Sequence, residues 1–377
     1  MFQRLALFLA CLASLGLTAC DPSGVMGSVD AGDDAVASDA AGMDLGGDAE
    51  ESDGGADDAG GGAVSYSIVV LPDTQYYSSS WPDIFKAQTR WLVENRQAQQ
   101  IAFVLHTGDL VDEDAPAQWE VAARSLHVLD SELPYAITAG NHDYLNLADR
   151  TGSINTYFQP AQFAAFPWFG GTFEAGHMEN SFSVFGAGGG KWLVVALEFG
   201  PRDEVLAWAD TVLKIFRDTP AIIITHAYLY RDGTRYDAVG SPGQQFNPHA
   251  YVMMGQPGST VNDGEEMWRK LIAPNRNVKL VFSGHDVSGN ALPPGTAARL
   301  TSSRQDGTVV HQILTNYQTC TAPPCESFAG GTVRGGNGFL RVLHFSPRDG
   351  TISVTTYSPY LDEYLRDPSN QFTLPLN

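Results

Sequence analysis

The chain has 377 residues, with 43 acidic against 22 Lys and Arg and a formal net charge of −21. An acidic balance of that size argues against tracts of nucleic-acid backbone as the natural partner, because these are held in basic grooves. Without Met1–Gly62 the count falls to 31 acidic and 21 basic residues, a net of −10, which leaves small phosphate esters open if bound metal supplies local positive charge.

In chain order, Met1–Ala19 carries Arg4, an apolar run from Leu5 to Leu17, and then Thr18-Ala19-Cys20. The run is too short to span a bilayer and reads as a signal peptide. LTAC resembles a bacterial lipobox. That resemblance implies that Cys20 becomes a lipidated first residue, anchoring the protein to a membrane of the bacterial cell envelope on its periplasmic or surface side. Cleavage of an ordinary secretory signal nearby is the alternative. Asp21–Gly62, in the linker 20–62, has twelve acidic residues, no Lys or Arg, and otherwise mostly Ala, Gly and Ser. Such a segment buries too little apolar surface to offset the entropy of folding, so it is expected to be a disordered tether. As a Gly-rich coil its r.m.s. span is about 35–40 Å, before charge repulsion extends it. A calcium-binding tract would need D-x-D-x-D-G spacing, which it lacks.

Residues 63–377 read as one domain, with no second linker and no internal repeat. Tyr66–Leu71 is an apolar strand ending at Asp73-Thr74-Gln75, and Pro82–Gln99 an amphipathic helix. Ile101–Leu105 runs into His106-Thr107-Gly108-Asp109. A helix over Ala115–Ser131 leads to the strand Pro134–Thr138, which stops at Gly140-Asn141-His142-Asp143. This strand–helix alternation argues for parallel pairing with right-handed crossovers. Tyr144–Gly190 is crowded with aromatic residues; it reads as a satellite core, with a wall or lid beside the site as the alternative. A hairpin (Ser181–Phe185 with Trp192–Glu198), a helix (Arg202–Arg217), a strand ending at His226, a helix (Glu265–Ala273) and a strand ending at Gly284-His285-Asp286 follow. Arg299–Ser302, Val309–Asn316, Gly338–Phe345 and Thr351–Tyr357 suit a second sheet. Asn316 and Gln318 could reach the centre, although a turn explains them as well. Cys320 and Cys325 bracket Thr-Ala-Pro-Pro. In an oxidising compartment a local disulfide is the reading, ahead of free thiols or a metal pair that lacks further thiols.

Polar residues thus close five apolar strands: Asp73 and Gln75, Asp109, Asn141-His142-Asp143, His226 and His285. Ligands fanning from neighbouring strand ends are how an α/β sheet builds a site. The series, with GDLVD and GNHD as its most specific parts, resembles the calcineurin-like metallophosphoesterases, whose pattern runs D-x-H, GDxxD, GNHD/E, a lone His and GHxH. The resemblance implies an α/β fold, a four-layer αββα sandwich of two mixed β-sheets flanked by helices. It also implies hydrolysis of phosphate mono- or diesters by a metal-bound hydroxide. Two cations about 3.5–4 Å apart neutralise the anionic ester and acidify a water between them. By the same carry-over Asp109 bridges the metals, Asp73 belongs to the first, and Asn141, His226 and His285 belong to the second. His142 stands beside the ester to stabilise or protonate the leaving oxygen, and Asp143 orients its ring.

Two positions depart from the pattern. Gln75 stands where the family commonly has His, and Val287 where the second His of GHxH belongs. Both concern the first metal, so the expectation is one firm site and one weaker, oxygen-rich site for divalent ions of the Mn, Fe, Zn or Mg kind. Rescue by Asp286 is open at this stage. The competing reading is a catalytically degenerate scaffold serving as a surface binding module. A serine hydrolase is excluded because no G-x-S-x-G elbow occurs.

Overall fold

The computed structural model describes residues 64–287, 296–318 and 335–376. The leader, the acidic tract, Cys20 and the expected Cys320–Cys325 disulfide lie outside the described residues. In chain order the strands begin with β1 (Tyr66–Leu71), β2 (Ile101–His106), β3 (Tyr135–Ile137), β4 (Phe169–Thr172), β5 (Ser181–Ala187), β6 (Gly190–Leu197) and β7 (Ala221–Thr225). They continue with β8 (Val278–Ser283), β9 (Thr296–Ser303), β10 (Val309–Asn316), β11 (Leu340–Ser346), β12 (Thr351–Ser358), β13 (Glu363–Leu365) and β14 (Phe372–Pro375). The longer helices are α1 (Gln75–Ser79), α2 (Pro82–Asn95), α3 (Pro116–Leu126) and α4 (Asp203–Ile215).

β1 is buried along its whole length, which is why its sequence is a continuous apolar run rather than an alternation. Alternate residues serve different layers. Ile68 and Val70 join a core with Phe103, Ile222, Ile224 and Phe282, between the two sheets. Val69 and Leu71 join a second core with Ile84, Phe85 and Leu92 of α2 and Trp119 of α3. On the far side Leu193, Val195 and Ile223 pack against Val205, Ala209 and Val212 of α4. Helix, sheet, sheet and helix are therefore four layers around three apolar interfaces.

The first sheet runs β13-β12-β11-β1-β2-β3, with β14 on β12; the second runs β4-β5-β6-β7-β8-β10-β9. β1, β2 and β3 are mutually parallel, and so are β6, β7, β8 and β10. Each parallel group sends its C-terminal ends to one edge, and those edges carry the candidate ligands. One sequence expectation needs correction. Of the four C-terminal stretches assigned to a second sheet, only β9 and β10 lie there. β11 instead pairs antiparallel with β1, from Tyr66↔Phe345 to Val70↔Arg341, and β12 follows β11. β1 has β2 on one edge only, and a fully buried strand cannot leave the other edge without hydrogen-bond partners.

Element ends also differ in small ways. The expected helix over Glu265–Ala273 is an α-helical turn, Gly264–Met267, running into a π-helical turn, Trp268–Ile272. Among the described residues no helix is long and apolar enough to cross a membrane.

The aromatic segment after Asp143 behaves mainly as core. Phe158 and Phe163 are fully buried in the α2–α3 layer. Trp119 stacks on Tyr157 at 5.8 Å, and the His127 ring stacks on Phe158 at 5.0 Å. Phe158→Ala is therefore expected to lower the unfolding free energy by about 3–5 kcal/mol, with bound metal per chain unchanged. Urea denaturation and elemental analysis of the variant check both.

Candidate metal centre

Glycine makes the approach of the strand ends possible. A Cβ at Gly140 would collide with the Asp109 carboxylate, and one at Gly284 with that of Asp73. With hydrogen there instead, the loops after β3 and β8 come up against carboxylates presented by β2 and β1.

Asp109 is the meeting point. It is 1 % exposed and holds a positive φ of 54°. Its Oδ2 accepts from Gln75 Nε2 at 3.0 Å and lies 3.2 Å from His226 Nε2, while its Oδ1 accepts from the His142 backbone N–H at 3.0 Å. Asp73 accepts from the His285 N–H at 3.1 Å and from Asn316 Nδ2 at 2.8 Å. Suitable ligand atoms of Asp73, Asp109 and His226 lie within 4.8 Å of one another.

Hydrogen bonds select the free ring nitrogens. His226 Nδ1 donates to the Thr107 carbonyl at 2.8 Å, so Nε2 faces Asp109. His285 Nε2 donates to the Phe246 carbonyl at 2.8 Å, so its Nδ1 keeps the lone pair. Fixing a ligand imidazole through its other nitrogen is how proteins set the tautomer at a metal. Three buried amide oxygens, Gln75 Oε1, Asn141 Oδ1 and Gln318 Oε1, have no hydrogen-bond partner among the described residues. An orphaned buried acceptor is costly unless a cation or donor meets it. Carboxylate, imidazole and amide donors gathered in this way fit divalent metal.

Without metal, the buried groups of the centre set one another's charge. Burial pushes the Asp73 carboxyl up to about 7; the His226 charge opposes this and the Asp109 charge reinforces it. Burial also opposes ionisation of Asp109, yet the charge and hydrogen bond of His226, with His142 and His285 nearby, hold it well below the usual carboxylate range. Although burial disfavours its charge, His226 is raised to about 9 by Asp109 and Asp73. His285 is pushed down to about 3 by burial and then by the His226 charge, which leaves it neutral as a ligand must be.

The predicted residues meet the structure unevenly. Asp73, Gln75, Asp109, His226 and His285 converge through these contacts, and Asn141, next to the His142 N–H that binds Asp109, carries one of the orphaned acceptors. Asp143 is not the partner of the His142 ring. Its Oδ1 accepts from the backbone N–H groups of Leu110 at 2.7 Å and Val111 at 3.0 Å, and its Oδ2 from that of Gly140 at 2.8 Å. With both oxygens occupied, Asp143 ties the loop after β2 to the loop after β3. The ring is held by Asp112: His142 Nδ1 donates to the Asp112 carbonyl at 2.8 Å and lies 3.6 Å from its Oδ1. Asp286 does not replace the missing histidine, because Arg231 holds it through Nη2 at 2.7 Å and through its backbone N–H. Asn316 and Gln318 do reach the centre, the latter through Nε2 at 3.4 Å from Asp73 Oδ2. Their signal in the sequence was the same as that of the candidate ligands, a polar residue closing an apolar strand. His106 is the expected buried support, bonded to Thr74 Oγ1 at 2.9 Å and to the Gly108 N–H at 3.2 Å.

Two sheets whose parallel edges gather carboxylate, imidazole and amide donors define an α/β scaffold with a candidate metal site at those edges. The chain belongs to the calcineurin-like phosphoesterase family, whose model matches residues 66–289. A divalent-metal centre and phosphoester chemistry are what that family implies. The chain is 33% identical over 306 residues to YvnB of Bacillus subtilis (strain 168), a protein described as uncharacterized. The match covers 79% of this chain and 20% of that protein, so the chain spans about a fifth of the length of its curated relative. Among solved structures it is similar to the purple acid phosphatase PPD1 from yellow lupin (Lupinus luteus) seeds. That match has 14% identity and a TM-score of 0.46, over 84% of this chain and 54% of that one. It is also similar to GAP50, the anchor in the inner membrane complex of Plasmodium. There the identity is 11% and the TM-score 0.41, over 83% of this chain and 89% of that one.

The Asp112 contact carries a prediction. Burial lowers the pKa of His142, but the charge of Asp109 and the carbonyl and carboxylate of Asp112 raise it above the ordinary value. Removing one of those negative charges in Asp112→Asn is expected to move the ring's titration to lower pH. NMR of the imidazole across a pH series, in metal-free protein, reads the shift; an unmoved midpoint contradicts it.

Proposed function

We propose that the chain is a metal-dependent hydrolase of small phosphate mono- or diesters, working while tethered to a bacterial envelope membrane. The observation that carries the reading is the convergence on Asp109 of donors from both sheets, with amide oxygens of Gln75 and Asn141 left for a cation. Asp109 would be shared by two metals, Asp73 and Gln75 would serve the first, and Asn141, His226 and His285 the second. Divalent cations, when bound, neutralise phosphate charge and make an attacking water more acidic.

The chain's own groups supply the rest. His142 is 40 % exposed at its side chain, in contrast to the buried His226, so it can meet a substrate. Its Nδ1–H is committed to the Asp112 carbonyl, which leaves the Nε2 proton of the imidazolium for the departing ester oxygen. The charges of Asp109 and Asp112 raise the ring above its ordinary basicity, which favours the protonated form. Asp143 takes no part in the proton transfer and holds the two loops in register.

Hydrolysis of p-nitrophenyl phosphate and of bis(p-nitrophenyl) phosphate, with and without added Mn²⁺, tests the reading. Asp109→Asn is expected to abolish turnover with the fold retained. His142→Ala is expected to lower kcat by about 10²–10⁴-fold with metal content preserved. Full activity of Asp109→Asn would sink the assignment. No turnover of either ester by folded, metal-supplied protein would instead favour a binding module on this scaffold.

The leader and LTAC support anchorage through Cys20, with the acidic tract as spacer. In a bacterial host, Cys20→Ala is expected to move the protein from the membrane fraction to the soluble one. Detergent phase partition is the measurement, and an unchanged distribution rejects the anchor.

A further inference from the structure

We propose that Gln318 is a ligand of the first metal and that this position is rebuilt from oxygen alone: carboxylates of Asp73 and Asp109 with amide oxygens of Gln75 and Gln318. The inference rests on the metal-centre reading above. The family pattern places two imidazoles at this position, and the chain has Gln75 and Val287 there instead. Val287 has no donor atom, and Asp286 beside it is held by Arg231. The missing donors have to come from another element.

β10 supplies one. It runs parallel to β8, so its C-terminal end reaches the same edge as His285. Asn316 donates from Nδ2 to Asp73 Oδ2 at 2.8 Å and accepts the Gln318 N–H on its Oδ1 at 3.0 Å. That pair of bonds occupies Asn316 and turns the chain so that Gln318 follows it into the centre. Gln318 Nε2 lies 3.4 Å from Asp73 Oδ2. Its Oε1 is left with no hydrogen-bond partner among the described residues, on a residue only 7 % exposed.

Gln75 repeats the arrangement on the other carboxylate, with Nε2 on Asp109, Oε1 without a partner, and 1 % exposure. Two buried amide oxygens beside two carboxylates concentrate negative charge, which water-excluded protein tolerates poorly. A hard cation resolves it. Oxygen-only sets suit Mn²⁺ and Mg²⁺, whereas the second position, with the imidazoles of His226 and His285, suits softer ions. The two positions thus differ in ligand chemistry, and Asn316 is a positioning residue for the first.

The test is Mn²⁺ titration of the full chain, followed by the electron paramagnetic resonance signal of free Mn²⁺, with elemental analysis for stoichiometry. Wild type is expected to bind two equivalents of unequal affinity. Gln318→Ala should weaken the weaker equivalent by at least about tenfold and leave the tighter one in place. Gln318→Glu keeps an oxygen at nearly the same reach and should hold the weaker equivalent at least as tightly as wild type, which keeps the test open if the alanine variant fails to fold. Unchanged affinities in Gln318→Ala, or weakened binding in Gln318→Glu, overturn the inference while leaving the hydrolase reading standing. A single equivalent in wild type also overturns it. No Mn²⁺ binding by folded wild type removes both readings.

Discussion

The Asp109 carboxylate sits almost wholly out of water, with Gln75, the His142 backbone and His226 around it. A charge in that position is tolerable only when opposite charge and hydrogen-bond donors surround it. Its partners come from the loops after β1, β3 and β7, so two loops of the first sheet and one of the second must close over a single atom group. The bond from His226 Nδ1 to the Thr107 carbonyl adds a direct tie between the sheets. Gly140 and Gly284 supply the clearance that this closure needs. The rest of the molecule, three apolar interfaces between four layers, holds those edges in place.

That constraint sorts the polar residues near the centre into two groups. Some have each polar side-chain atom bonded to the protein: Asp143 to three backbone N–H groups, Asn316 to Asp73 and Gln318, and Asp286 to Arg231. These fix geometry. Others keep a buried atom in reserve, as Gln75, Asn141 and Gln318 do with their amide oxygens. His142 stands apart because its side chain is partly exposed and its ring is held by Asp112 rather than by the adjacent aspartate. Neighbourhood in sequence is therefore a poor guide to which carboxylate serves which ring. Asp143 follows His142 directly, yet both of its oxygens are bonded to backbone N–H groups.

The two amide residues also change the character of the centre. Imidazole and amide oxygen differ in softness, so in the proposed two-metal centre, replacing nitrogen donors at one position while keeping them at the other would make the positions chemically unequal. The aromatic segment that could have been a substrate wall is mostly spent on core packing, with Phe158 and Phe163 fully buried.

The sequence by itself determined the layered α/β architecture and the order of the polar strand ends. Apolar runs that stop at Asp73, Asp109, Asn141, His226 and His285 read as buried strands bringing polar residues to a shared edge. It also determined which two family donors are missing, since side-chain identity alone decides what Gln75 and Val287 can offer. Only the tertiary structure decided the pairing of partners far apart in the chain. β11 fills the open edge of β1, a choice that depends on which edge is left uncovered and not on any local pattern. Asp112 rather than Asp143 holds the His142 ring, because the fold aims backbone N–H groups from two loops at Asp143. Gln318 meets Asp73 across 245 positions of sequence, through a parallel register that no local periodicity encodes. Local pattern reports burial and element type; the identity of a long-range partner is set by packing, and packing is a property of the whole chain.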